Sequence, residues 1–139
     1  MTPVESLQKT LAAEHAAVFL YGVLGARTSG SRQPTLFRAL NTAFDDHRDQ
    51  RDALTVLISA KGVDPVAALV DYRLPGPVAT PDQVTAVART IETRTTRTYG
   101  ELVAHTSGAD RHWAVASLDR SALRGLRFGV RPGNFPGLD

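Results

Sequence analysis

The sequence contains no cysteine, and Lys9 and Lys61 are its only lysines. The absence of cysteine excludes disulfide bonds, thiolate metal sites and cysteine nucleophiles. No uninterrupted apolar run approaches the roughly 20 residues that a membrane span needs. The first residues, MTPVE, lack the basic and apolar regions of a signal peptide. We therefore expect a cytoplasmic protein with no membrane partner.

The excess of positive charge is small although the pI is 9.4. Sixteen lysines and arginines oppose fourteen acidic residues, and no block of like charges forms a binding tail. A nucleic-acid-binding surface needs clustered arginines beside stacking aromatics, whereas here the arginines are scattered and aromatics make up only 6% of the chain. We expect no nucleic-acid partner.

The start signals of helices are clear in this chain, which is short enough to form one domain over residues 1–139. Thr2, Pro3 and Glu5 have the spacing of a capping box, and residues 80–83 repeat it. Pro34 marks another start, and residues 107–110 resemble the capping box with Asp110 in place of Glu. With apolar residues at steps of three and four, these signals predict helices over residues 3–27, 34–61, 81–106 and 109–128. The third is predicted despite a Thr-rich stretch with strand propensity.

The lengths of the connections predict the topology. The first and third links are short, so each joins an antiparallel helix pair, whereas the second link (residues 62–80) is far longer than usual between neighbouring helices. Two hairpins joined by one long crossover form a four-helix bundle of ferritin-like topology, in the all-α class. We expect a short helix over residues 65–72 of the crossover, and an extended tail over residues 130–139 that lies against the bundle.

Three polar residues interrupt the apolar stripes near the centres of their helices: Glu14, His47 and Glu92. Since the centres of antiparallel helices lie at one level, we expect these side chains to converge. Midway along the fourth helix, either Asp119 or Arg120 is expected to face the same layer, and we favour Arg120.

A carboxylate in an apolar layer is costly unless it is paired or binds a metal. One solution is an ion-pair core in which Arg51 and Arg120 neutralise the glutamates. The other is a single Fe, Mn or Zn ion held by Glu14, His47, Glu92 and Asp119 (all four being candidate ligands). A di-iron pair is not expected, because such sites take two Glu-x-x-His motifs, whereas Phe44 precedes His47 by three residues and the fourth helix has no such motif. We favour the ion-pair core, with no cofactor and no catalytic residues.

Four segments resemble a ferritin-like domain family of actinobacteria whose function is undetermined. They are residues 11–18 (LAAEHAAV) with Tyr21 and Gly22, His47 and Arg48 with residues 51–54 (RDAL), residues 74–78 (LPGPV) and residues 135–138 (FPGL). The resemblance covers nearly the whole chain and implies a ferritin-like bundle, but it implies no activity.

These observations favour a non-catalytic bundle with a degenerate metal site, which acts by association as a homodimer or with another protein. The alternative is a metal-binding protein or oxidoreductase that uses Glu14, His47 and Glu92.

Overall fold

The computed structural model describes residues 1–138 and contains four helices: α1 (Pro3–Ala26), α2 (Pro34–Ser59), α3 (Pro81–His105) and α4 (Gly108–Arg127). The predicted spans agree with these bounds to within two residues, and the described part of the chain contains no strand. The all-α four-helix prediction is therefore confirmed. No helix within residues 1–138 is long and apolar enough to cross a membrane.

Local hydrogen bonds explain where the helices begin. The Thr2 hydroxyl accepts from the Glu5 backbone N–H, and the Glu5 carboxylate accepts from the Thr2 N–H, which completes the predicted capping box. Thr80 and Gln83 form the second one. At α4 the predicted start is right to within one residue, but the capping box expected at residues 107–110 does not form, because the Ser107 side chain makes no capping hydrogen bond. Asp110 instead forms an ion pair with Lys61 at the end of α2, 2.7 Å away.

The Thr-rich part of α3 is helical, and its hydroxyls bond within the helix. Thr93, Thr95 and Thr98 each donate to the carbonyl oxygen four residues earlier. This pattern satisfies the hydroxyls without leaving the helix. The buried apolar residues of α3 then fix which face of the helix meets the bundle: Val84, Val87, Ala88, Ile91 and Leu102.

Side-chain contacts define the antiparallel arrangement of α1 and α3. Glu14 contacts Tyr99, whereas Tyr21, further along α1, contacts Glu92, which is earlier in α3. The α1–α2 and α3–α4 hairpins are antiparallel as well, so the long crossover must return along the bundle.

The crossover runs beside α1 and contains no helix, so the prediction of a helix over residues 65–72 is wrong. Its backbone bonds to side chains instead. The Val66 N–H donates to the Gln8 side chain, which in turn donates to the Asp64 carbonyl oxygen. The Leu69 N–H donates to the Tyr72 hydroxyl. The N–H groups of Val66 and Leu69 therefore bond to side chains and not to the backbone carbonyl oxygens that a helix would supply.

The interior consists of two apolar clusters with a polar layer between them. Cluster A lies near the α1–α2 turn and is closed by Phe128; it comprises Ala17, Leu20, Tyr21, Leu24, Leu40, Ala43, Val84, Val87, Ala88, Ile91 and Phe128. Cluster B fills the opposite half with Leu7, Leu11, Leu54, Ile58, Tyr99, Leu102 and Ala114. Glu14, His47 and Glu92 occupy the layer between the two clusters, so the bundle itself determines where the candidate site lies.

Candidate functional site

The structure brings together the three polar residues of the central stripes. Glu14, His47 and Glu92 are all fully buried, with 0% exposure. The Nδ1 atom of His47 lies 2.5 Å from Glu14 Oε2, and its Nε2 atom lies 2.9 Å from Glu92 Oε1. The imidazole therefore links the two carboxylates, and α1, α2 and α3 each supply one member of this chain.

Two buried tyrosines extend the chain at both ends. The Tyr99 hydroxyl donates to Glu14 Oε1 at 2.6 Å, and the Tyr21 hydroxyl donates to Glu92 Oε1 at 2.5 Å. Each tyrosine follows the glutamate of its own helix by seven residues, or about two turns, and so lies on the same face. Neither tyrosine is among the site residues predicted from the sequence. The repeated Glu-x6-Tyr spacing was the signal that they also donate to the glutamates.

Arg124 is the contribution of α4 to this layer. It is 4% exposed, and its Nε atom lies 3.0 Å from both carboxylate oxygens of Glu92. Its Nη2 atom donates to Gln50 Oε1 at 3.0 Å, and its Nη1 atom lies 3.5 Å from Asp46 Oδ2. The guanidinium thereby joins α2, α3 and α4.

The structure does not bring Asp119, Arg120 or Arg51 to the centre. Asp119 and Arg120 are exposed, and Arg51 pairs with its neighbour Asp52 at 2.8 Å. The prediction that Asp119 or Arg120 faces inward is wrong, because it assumed that the midpoint of α4 lies at the level of Glu92.

That level is set by the distance from the α3–α4 turn rather than by the midpoint of α4. Glu92 lies thirteen residues before the end of α3 at His105. The facing position must therefore lie well beyond the middle of the shorter α4. Counting thirteen residues from the start of α4 at Gly108 reaches Ser121, and Arg124 lies three residues further along the same face.

The hydrogen bonds determine the charge of His47. An ionised carboxylate can only accept, so both ring nitrogens must donate, and the imidazole is protonated. Burial by itself lowers the pKa of His47, but the charge of Glu14 and the hydrogen bonds to Glu14 and Glu92 outweigh burial and raise the pKa from 6.5 to about 9.

Burial, charges and hydrogen bonds also shift the pKa values of the other members of the network. Burial by itself raises the pKa of Glu92, yet the hydrogen bond and charge of His47, with Arg124, lower it overall. Burial and the nearby carboxylates hold the pKa values of Tyr21 and Tyr99 well above 10, so both hydroxyls remain donors. Two carboxylates balance one imidazolium and one guanidinium, and the enclosed layer is neutral.

In this arrangement the residues do not fit a metal ion. His47 has no free lone pair, because both nitrogens carry protons, and metal binding requires a neutral imidazole. Arg124 places a permanent positive charge against Glu92, where a cation would have to bind. Within residues 1–138, no group of three or more His, Asp and Glu side chains is arranged to hold a metal ion.

A second feature lies on the surface of the crossover. Residues 66–70 (VAALV) are all apolar and all exposed. Leu69 is 67% exposed and Val70 is 101% exposed. Consecutive exposed apolar residues are unusual unless they have a function. This segment, which we call the apolar run, is therefore a candidate interaction surface.

Comparisons with known proteins place the chain in a family without assigning an activity. A family model described as "Domain of unknown function (DUF4439)" matches residues 6–139. A crystal structure of a conserved hypothetical protein, rv2844, from Mycobacterium tuberculosis is similar, with 29% sequence identity and a TM-score of 0.83, and the match covers 91% of this chain and 93% of that one. No curated protein matches significantly. Because the family model matches nearly the whole of this chain, the chain belongs to the DUF4439 family.

Proposed function

We propose that this protein is a non-catalytic, ferritin-like bundle that acts by associating with a second copy of itself through the apolar run. The observation that carries the proposal is that five consecutive apolar residues, 66–70, are all exposed. Burying such a segment removes apolar area from water, which is the main driving force of association.

The central layer supports a structural role rather than catalysis. Its carboxylates and imidazole are 0% exposed, and each carboxylate already accepts from a tyrosine and from His47. A substrate would have to displace these donors to reach Glu14 or Glu92.

Charge on either side of the apolar run favours a second copy as the partner. Asp64 precedes the run and Arg73 follows it, and both are exposed. In an antiparallel pairing of two crossovers centred between Ala68 and Leu69, Asp64 of each copy lies opposite Arg73 of the other. Such an isologous contact is self-complementary, and opposite charges in cross-strand positions stabilise pairing.

Sedimentation velocity over a concentration series tests this proposal. We expect a reversible dimer for the wild type and a monomer for Val70→Asp. Because the Val70 side chain packs against nothing within its own chain, this change should leave the fold intact. Val56→Asp is the matched control, since Val56 is 68% exposed but lies on α2. It should leave the dimer intact.

Charge-reversal variants test the proposed antiparallel pairing of the two crossovers. Asp64→Arg and Arg73→Asp should each weaken the dimer, and the double variant should restore it. A wild type that stays monomeric at all concentrations, or a dimer that Val70→Asp leaves intact, would contradict the proposal.

The alternative is a single Fe, Mn or Zn ion bound by Glu14, His47 and Glu92, and the convergence of these side chains is the observation in its favour. Such binding would require His47 to lose a proton and Arg124 to move away. Elemental analysis of protein purified without an affinity tag tests it. One equivalent of metal that is lost in Glu92→Gln would favour this alternative.

A further inference from the structure

A cavity of about 240 Å³ lies between α3, α4 and the C-terminal residues, on a different face from the apolar run. The segment after α4 forms its roof. The Val130 N–H donates to the Gly125 carbonyl oxygen at 3.0 Å, which fixes the near end of the roof. At the far end, the backbone of Gly137 packs on Gly100, and a Cβ atom at Gly100 would lie only 3.0 Å from the Gly137 oxygen.

The roof between these two contacts is stiff and stands away from the helices. Pro132 and Pro136 restrict its backbone, because the proline ring fixes φ. Both line the cavity, together with Leu123, Leu126 and Val130. The space is therefore a mainly apolar pocket. Its roof, residues 130–137, is fixed at both ends and holds the pocket open; we call this segment the C-terminal strap.

The charged residues of the cavity wall are predominantly positive. Arg97 on α3 and Arg131 on the strap line it, and both are exposed. Neither forms an ion pair with any residue in the range 1–138. Within that range the one acid in the wall is Glu92, whose charge is neutralised by His47 and Arg124.

We propose that this cavity binds a small monocarboxylic acid with an apolar body. The apolar walls would hold the hydrocarbon part, and the guanidinium groups of Arg97 and Arg131 match the geometry of a carboxylate. At about 30 Å³ for each water-sized group, the volume accommodates roughly eight methylene-sized groups. A medium-chain aliphatic acid fits this size.

Titration calorimetry with sodium octanoate tests the proposal, with 1-octanol as the uncharged ligand of similar length. We expect saturable binding of one octanoate per chain, and at least about tenfold weaker binding of 1-octanol. Arg97→Gln combined with Arg131→Gln should weaken octanoate binding by about tenfold. Arg94→Gln, which changes an exposed arginine of α3 outside the cavity, should leave binding within about twofold of the wild type.

A second variant tests the apolar part of the cavity. Ala122→Leu adds volume at the wall and should abolish binding while the melting temperature stays near that of the wild type. No saturable binding at millimolar octanoate would overturn the proposal. So would binding that neither the arginine double variant nor Ala122→Leu alters, because it would mean non-specific adsorption.

The result is independent of the proposed self-association. Val70→Asp changes a residue outside the cavity, so it should bind octanoate with the same affinity as the wild type. Loss of octanoate binding in Val70→Asp alone would mean that the ligand occupies an interface between two copies, which would also overturn the proposal of a site within one chain.

Discussion

Among the single residues, His47 is the one whose charge most directly couples the fold to pH. It lies between two buried carboxylates and is held in the protonated form by both. Removing one partner of a buried ionic cluster leaves the others uncompensated, which typically costs about 3–5 kcal/mol. The stability of this bundle therefore depends on a group that titrates within an accessible pH range.

We predict that stability declines on the alkaline side through deprotonation of His47. The pKa is 6.5 for the free side chain and about 9 in the fold. Because the folded-state pKa is the higher one, the stabilisation is fully present below pH 6.5 and is lost as the pH rises to about 9. At about 1.4 kcal/mol per pH unit, the loss is on the order of 3 kcal/mol. Urea unfolding between pH 6 and 9.5 measures it.

His47→Ala should lower the free energy of unfolding by about 3–5 kcal/mol at pH 6 and remove most of the decline between pH 6.5 and 9. His112→Ala, at an exposed position of α4, is the control and should keep the wild-type pH profile. A wild type whose stability is constant across this range would show that His47 is neutral in the fold.

Between elements, the backbones of α3 and the C-terminal strap approach each other closely at Gly100 and Gly137. Gly137 adopts φ +84°, and a Cβ atom there would lie 2.7 Å from the Thr96 carbonyl oxygen. Gly100 faces it from the helix. Glycine in a helix is normally destabilising relative to alanine by about 0.5–1 kcal/mol, so its presence at Gly100 is explained by this contact.

We predict that Gly100→Ala releases the strap, because the added methyl group meets backbone atoms that cannot rotate away. Hydrogen exchange of residues 130–138 should accelerate, while exchange in the interior of α1 and α2 stays unchanged. Gly22→Ala is the matched control. Its Cβ atom would lie 3.7 Å from the Phe44 ring, an ordinary contact, so it should leave the strap protected. Equal exchange in both variants would contradict this role of Gly100.

In the whole molecule, the polar layer connects two apolar clusters that do not merge. Cluster A and cluster B lie on opposite sides of the layer, and Arg124 is the member from α4 that contacts both α2 and α3 there. The cooperativity of unfolding should therefore depend on this layer, because Arg124 connects α4 to α2 and α3 between the two clusters.

We predict that the wild type unfolds in one transition and that Glu92→Ala separates the two halves. Trp113 packs against cluster B, with its ring 5.9 Å from that of Tyr99, so its fluorescence reports on that half alone. Far-UV circular dichroism reports on all four helices. Urea curves from the two probes should coincide in the wild type and diverge in Glu92→Ala. Coincident curves in the variant would mean that the clusters are coupled without the layer.

The sequence by itself determined the helices and the connectivity, because both depend on short-range chemistry. Capping residues such as Thr2 and Thr80 act within one turn, apolar periodicity identifies the inner face of each helix, and connection length limits which ends can meet. The same periodicity placed Glu14, His47 and Glu92 on the inner faces, and their positions near the helix centres predicted that they share one level. These features need no knowledge of how far one helix is shifted along another.

Only the tertiary structure decided which group of α4 meets that level and what the crossover and the tail do. Asp119, Arg120 and Arg124 all lie on one helix, and the choice among them depends on the axial offset of α4 against α3, which the whole packing fixes. The partners of residues 64–69 are side chains from α1 or from within the crossover, and the cavity exists because Gly137 meets Gly100 across 37 positions of sequence. Contacts between residues so far apart in the sequence depend on how the elements pack, and a local sequence pattern does not predict them.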